Sequence, residues 1–130
     1  MKIAMPTRDG KTVAGHAGKA RSWLVFDLGA GVGPEGLPEP ARIELAKDEV
    51  FHEFADDRPH PLDGVELVVA GSAGDGFVRH LQKRGAEVVL TGETDPGEAL
   101  RRLATGEALP EQTFDITTSL CKLRDLFSRH

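Results

Sequence analysis

The stretch from Val65 to Leu90 constrains the fold of this chain more than any other. Val65-Glu66-Leu67-Val68-Val69-Ala70 is a nearly continuous apolar run ending at Gly71, and it reads as a buried strand. Gly74-Asp75-Gly76 opens a helix carrying Phe77, Val78 and Leu81 on one face, and Gly85 stands where a C-terminal cap belongs. Ala86 to Leu90 is a second buried strand. Strand, helix and strand at this spacing predict a β-α-β unit with parallel strands and a right-handed crossover.

The rest of the chain fits around that unit. Asp95-Pro96-Gly97-Glu98 combines an N-cap, proline at the first helical position and a capping-box acid, so a second helix should begin there. Ala99, Leu100, Leu103 and Ala104 form its apolar stripe, and Gly106 should stop it. Lys2 to Met5 reads as a buried strand halted by Pro6, followed by a turn over Thr7–Lys11 and a short extended piece at Thr12–Ala14. Ser22 to Leu28 is rich in β-formers. The glycine- and proline-rich run Gly29–Pro40 suits only a connection. Ala41 to Ala46 alternates, with Ile43 and Leu45 opposite Arg42 and Glu44, as an edge strand with one wet face would. The segment from Asp48 to Phe54 has no clear period, and His52–His60 reads as a solvated loop. An antiparallel first half joined to βαβα implies an α/β fold with one mixed sheet and helices packed on it. Its 130 residues make one domain. The tail after Pro110 should add a short helix over Leu120, Leu123 and Phe127.

Composition excludes several function classes. The formal net charge is −5, with both signs interspersed and no basic stripe, which argues against a nucleic-acid surface. A single cysteine, Cys121, excludes an internal disulfide framework. No window approaches eighteen apolar residues and no leader pattern opens the chain, so a soluble cytoplasmic protein is the expectation.

Two glycine-bracketed segments are suited to ligand chemistry. In Gly15-His16-Ala17-Gly18-Lys19-Ala20-Arg21, the glycines let a large group approach a histidine flanked by cations, a setting suited to an anion or an anionic metal cluster. Taken alone, such a loop is more often an idle surface turn. Gly71-Ser72-Ala73-Gly74-Asp75-Gly76 joins a parallel strand to a helix N-terminus, where open α/β sheets bind ligands. It is neither G-x-G-x-x-G nor a P-loop, and taken alone it is more often a tight turn without a ligand. His52 and His60, with Glu53, Asp56 and Asp57, form a loop rich in donors but without a zinc spacing. His80 falls beside the apolar face of its helix, and Cys121 reads first as a small buried hydrophobe, second as a soft ligand. Ser72 and Ser119 have no histidine and carboxylate near them in sequence, so nothing demands an enzyme.

The order of these segments resembles a known family. Met1-Lys2-Ile3-Ala4-Met5-Pro6, Asp9-Gly10, Val13-Ala14-Gly15-His16-Ala17-Gly18-Lys19-Ala20 and the strand Trp23–Asp27 look like the opening of the dinitrogenase iron–molybdenum cofactor biosynthesis family. This is the NifX-like group, which also forms the C-terminal part of NifB proteins. Asp63-Gly64-Val65-Glu66-Leu67-Val68-Val69, Gly71, Gly74, Gly85, Glu98-Ala99-Leu100 and Gly106–Leu109 continue the pattern, with Ala17 standing where an aromatic residue is common. The resemblance implies a ribonuclease H-like three-layer fold with a mixed sheet of about five strands over residues 1–110; the tail 111–130 lies outside the pattern and is expected to pack on that domain as a short helix. It implies a non-catalytic protein that binds or carries an iron–molybdenum or related metal–sulfur cluster, in company with cofactor-biosynthesis or nitrogenase-type proteins. His16 would be the metal ligand, with Gly15, Gly18, Lys19, Ser72, Ala73 and Gly74 around the cluster; by residue chemistry alone, outside the resemblance, His52, His60 and Cys121 are secondary candidates. A regulatory or protein-interaction module that has lost the cluster is the alternative. A nuclease is a third reading, needing Asp27, Glu44 and Glu66 to converge on Mg²⁺.

Overall fold

The computed structural model describes residues 1–28, 38–55 and 57–105. Five strands form one mixed sheet in the order β3-β2-β1-β4-β5: β1 (Lys2–Thr7), β2 (Ser22–Asp27), β3 (Ala41–Glu44), β4 (Val65–Ala70) and β5 (Glu87–Leu90). The β1–β2 and β2–β3 pairs are antiparallel, whereas β1–β4 and β4–β5 are parallel. Two helices complete the fold, α1 (Asp75–Lys83) between β4 and β5 and α2 (Pro96–Thr105) after β5. This is the ribonuclease H-like α/β architecture that the family resemblance implies.

The period of two in each central strand sorts the core into two layers. Ile3 pairs with Phe26 and Met5 with Leu24, and all four join Leu67, Val69 and Val89 on one face. That face is covered by Ala99, Leu100, Leu103 and Ala104 of α2. Ala4 pairs with Val25 and Pro6 with Trp23, so Ala4, Trp23 and Val25 project the other way, with Val68 and Ala70. Phe77 and Leu81 of α1 cover this second face. Each fully buried leucine contributes about 1.5–3 kcal/mol, so α2 is held by its stripe rather than by propensity.

Four details differ from the sequence expectations. Pro6 lies inside β1 and does not end it. The β1–β4 register runs only from Lys2 to Ala4, so Pro6 sits where one flank of the strand is unpaired and the missing N–H costs no ladder bond. Thr12–Ala14 is not a strand; it is tied down by single bonds from Val13 N–H to Thr94 O (2.8 Å) and from Ala14 N–H to Pro6 O (2.8 Å). The segment after β3 forms no helix, yet it still covers the second face, because Leu45, Val50, Phe51 and Leu62 insert as single side chains from successive turns. It is not a solvated loop throughout, since Phe54 and His60 are buried. Finally, the capping box at α2 is divided between two acids. Asp95 Oδ1 accepts the Glu98 N–H at 3.0 Å as expected. The Glu98 carboxylate, however, binds Arg101 and Arg102, and Glu93 Oε2 accepts the Asp95 N–H at 3.3 Å.

The α1 C-terminus closes as predicted. Gly85 has φ +86, Ala86 N–H donates to Leu81 O (2.8 Å) and Gly85 N–H to Gln82 O (3.1 Å), the two bonds of a Schellman cap. The stop at Gly106, the tail helix, Cys121, Asp56 and most of the Gly29–Pro40 connection lie outside the described residues.

Candidate functional site

Because β1 and β4 are parallel, the loops leaving Thr7 and Ala70 emerge at the same edge of the sheet. There they are stitched together. Gly71 N–H donates to Ala14 O (2.9 Å), Ala17 N–H to Ser72 O (3.1 Å), and His16 N–H to the Ser72 hydroxyl (2.8 Å). The crossing is so close that a Cβ on Gly15 would stand 2.7 Å from Ser72 Oγ, which is why glycine precedes the histidine. At the start of the loop, Asp9 accepts the Lys11 and Thr12 N–H groups (both 2.8 Å), and these bonds hold its carboxyl down to about 2.

His16 itself adopts φ 53, ψ 49, the left-handed region, and among the described residues it is the one non-glycine with positive φ. That conformation costs an ordinary residue about 1–2 kcal/mol. It starts a single 3-10 turn, Ala17–Lys19, in which Lys19 N–H returns to His16 O (2.9 Å). Ala17 is fully buried in the α1-side core, while His16 and Lys19 are exposed. The loop therefore anchors its middle and displays the imidazole.

Two clefts flank that imidazole. The first, about 430 Å³, is lined by His16, Gly18, Lys19, Phe51, His52, Gly74, Gly76, Phe77 and His80. Among the described residues no carboxylate lines it. The second, about 470 Å³, runs past Arg8, Gly15, His16, Lys19 and Arg21 on the other side. His16 and Lys19 belong to both walls. The N-cap of α1, Gly74, makes no side-chain cap bond, and the first turn of that helix borders the first cleft through Gly74 and Gly76.

The structure brings the predicted residues together in different roles. Gly15, His16, Gly18, Lys19 and Gly74 line the clefts. Ser72 instead braces His16 through its hydroxyl, and Ala73 packs against the α1-side core. His52 lines the first cleft. His60 is turned inward: its Nδ1 accepts the Leu62 N–H (3.0 Å), so its Nε2 carries the proton and donates to Glu49 O (2.7 Å). Burial is the main reason that its pKa lies below the ordinary 6.5. With both ring nitrogens used, His60 serves the turn segment. Sequence reasoning did not place His80, Phe51 or Phe77 at this cleft. The signal was the spacing of Phe77, His80 and Leu81 on one helix face just after Gly74-Asp75-Gly76.

Among the described residues, no three His, Cys, Asp or Glu side chains are grouped to hold a single metal ion. The acids that a nuclease would need do not converge. Glu44 is on the edge strand β3, bound to Arg42 at 2.9 Å and to the Ser22 hydroxyl at 2.7 Å, with Asp27 at the far end of β2. No helix among the described residues is long and apolar enough to cross a membrane.

A five-strand mixed sheet in this order, with a histidine loop and a glycine turn meeting at the ends of its parallel strands, is of the ribonuclease H-like class. The chain belongs to the dinitrogenase iron–molybdenum cofactor family, whose model matches residues 1–106. Solved structures agree in fold. The protein PH0822 is 19% identical with a TM-score of 0.58, the match covering 88% of this chain and 96% of that one. A Thermotoga protein assigned to NifB and to the DUF35 family is 18% identical, TM-score 0.55, over 88% and 97%. A Methanocaldococcus jannaschii protein assigned as a dinitrogenase is 12% identical, TM-score 0.57, over 82% and 90%. At these identities the likeness is one of fold. No protein of curated function matches the chain significantly.

Proposed function

We propose that this protein binds and carries an iron–molybdenum or related metal–sulfur cluster during cofactor assembly or storage, without catalysing a reaction, and that His16 is its metal ligand. The observation that carries this reading is the display of one exposed imidazole on a strained, braced loop shared by two clefts. A conformation costing about 1–2 kcal/mol at an exposed position is rarely kept without a use for the side chain. Imidazole suits iron, and a cleft lined by Lys19, with no carboxylate among the described lining residues, suits a cluster with a negatively charged surface. Gly15, Gly18, Lys19 and Gly74 would surround the cargo, with Ser72 holding the ligand loop. Membership of a family named for the iron–molybdenum cofactor supports the same cargo.

Ligand-linked stability tests this. At a hundredfold excess of isolated iron–molybdenum cofactor over Kd, the fold gains about 2.7 kcal/mol, a rise of several degrees in Tm. His16→Asn keeps a residue that tolerates the left-handed region while removing the imidazole, and it should abolish most of the rise. Equal rises in wild type and variant would remove His16 as the ligand. No rise in either, with a partner protein captured in its place, would favour the interaction module.

A further inference from the structure

Three of the nine described residues lining the 430 Å³ cleft are histidines, in a chain with only five among 130 residues. They come from three separate segments: His16 from the loop after β1, His52 from the turns after β3, and His80 from α1. We propose that His52 and His80 contact the cargo together with His16, so that the cleft grips one multi-metal cluster from three sides. This rests on the cluster-carrying reading above.

The three histidines are tied to one another through the backbone and rings around them. His52 N–H donates to Gly18 O at 2.7 Å, which ties the turn segment to the loop that carries His16. The His80 ring stands edge-on to Phe51 (5.4 Å, 79°) and stacks toward Phe54 (6.2 Å, 28°). Phe51 is stacked in turn on His60 at 4.3 Å and packs edge-on to Phe77, the other aromatic in the cleft wall. His60, with both ring nitrogens bonded, therefore acts as a support for the ring that orients His80.

The spacing of the three imidazoles selects the kind of ligand. No three donors among the described residues are close enough to hold one ion, so the array is not a mononuclear site. A rigid body several ångströms across, with metal atoms on more than one face, can meet all three. The cleft has the volume of a small-ligand site, and its aromatic wall of Phe51 and Phe77 would shield such a body from water.

Anaerobic titration of isolated iron–molybdenum cofactor into the wild type, His16→Asn, His52→Gln, His80→Gln and the His52→Gln/His80→Gln double variant decides the matter. The double variant should raise Kd about tenfold or more, since loss even of a residue that only orients a ligand costs 10–100-fold. Its bound cofactor should also show fewer nitrogen couplings by pulsed electron paramagnetic resonance than the wild type. Wild-type affinity and an unchanged nitrogen spectrum in the double variant, with binding lost in His16→Asn, would overturn the three-histidine grip and leave the cluster-carrying reading intact. Failure of the wild type to bind would overturn both. Should His80→Gln not fold, His52→Gln at its exposed position decides alone, by the same two readouts.

Discussion

Ser72→Ala tests how the ligand loop is held. Three hydrogen bonds join the loop after β1 to the turn after β4, and the substitution removes only the one from His16 N–H to Ser72 Oγ, at 2.8 Å. The Ser72 carbonyl bond to Ala17 N–H and the Gly71–Ala14 bond remain. A single bond of this kind is worth about 0.5–1.5 kcal/mol net. The expected loss is about 1 kcal/mol, which for a domain of this size lowers Tm by about 3–5 °C. The effect is local, because that bond offsets the left-handed strain at His16. Amide exchange read by NMR should show the His16 N–H, which loses its acceptor, deprotected well beyond the roughly fivefold that a global loss of about 1 kcal/mol gives every globally exchanging amide. Amides in α2 should lose protection only to the extent of the global change. Ser72→Thr retains a hydroxyl and should keep most of the protection. If His16 exchanges at the same rate in wild type and Ser72→Ala, the hydroxyl is not what braces the loop.

Other perturbations follow from the same geometry. Gly85→Ala puts a side chain at φ +86 and should cost about 1–2 kcal/mol in denaturant melts, although no atom of the described residues lies within 4 Å of the new Cβ. Asp95→Ala removes the acceptor of the Glu98 N–H and should cost about 0.5–2 kcal/mol. For His60, burial lowers the pKa below 6.5, so the unfolded chain takes up the proton first and stability falls as pH drops below that value. Stability between pH 7.5 and 5 should decline less steeply in His60→Gln than in wild type; equal slopes would mean that His60 is not held neutral.

The second half of the chain was legible because its signals agree at every level. The apolar run Val65–Ala70, the glycine at a left-handed cap and the Asp95-Pro96 helix start each name one structure. The stretch after β3 was not legible. It covers the sheet with Leu45, Val50, Phe51 and Leu62 on irregular turns, and irregular turns leave no period to read. The same lack of period hid half of the site. His16 was visible from its flanking glycines, whereas its backbone conformation and the Ser72 brace depend on a contact 56 positions away. His80 was hidden for a similar reason, since its place at the cleft depends on Phe51 and Phe54 arriving from that segment.

If His16 holds a metal–sulfur cluster, the metal stays with the protein only while the imidazole is present. Protein incubated with iron–molybdenum cofactor without oxygen, freed of excess by gel filtration and analysed for iron and molybdenum tests it most directly. Wild type should carry both metals through the column, and His16→Asn should emerge nearly metal-free with an unchanged melting curve. Equal metal content in the two proteins, or none in either, would contradict the claim.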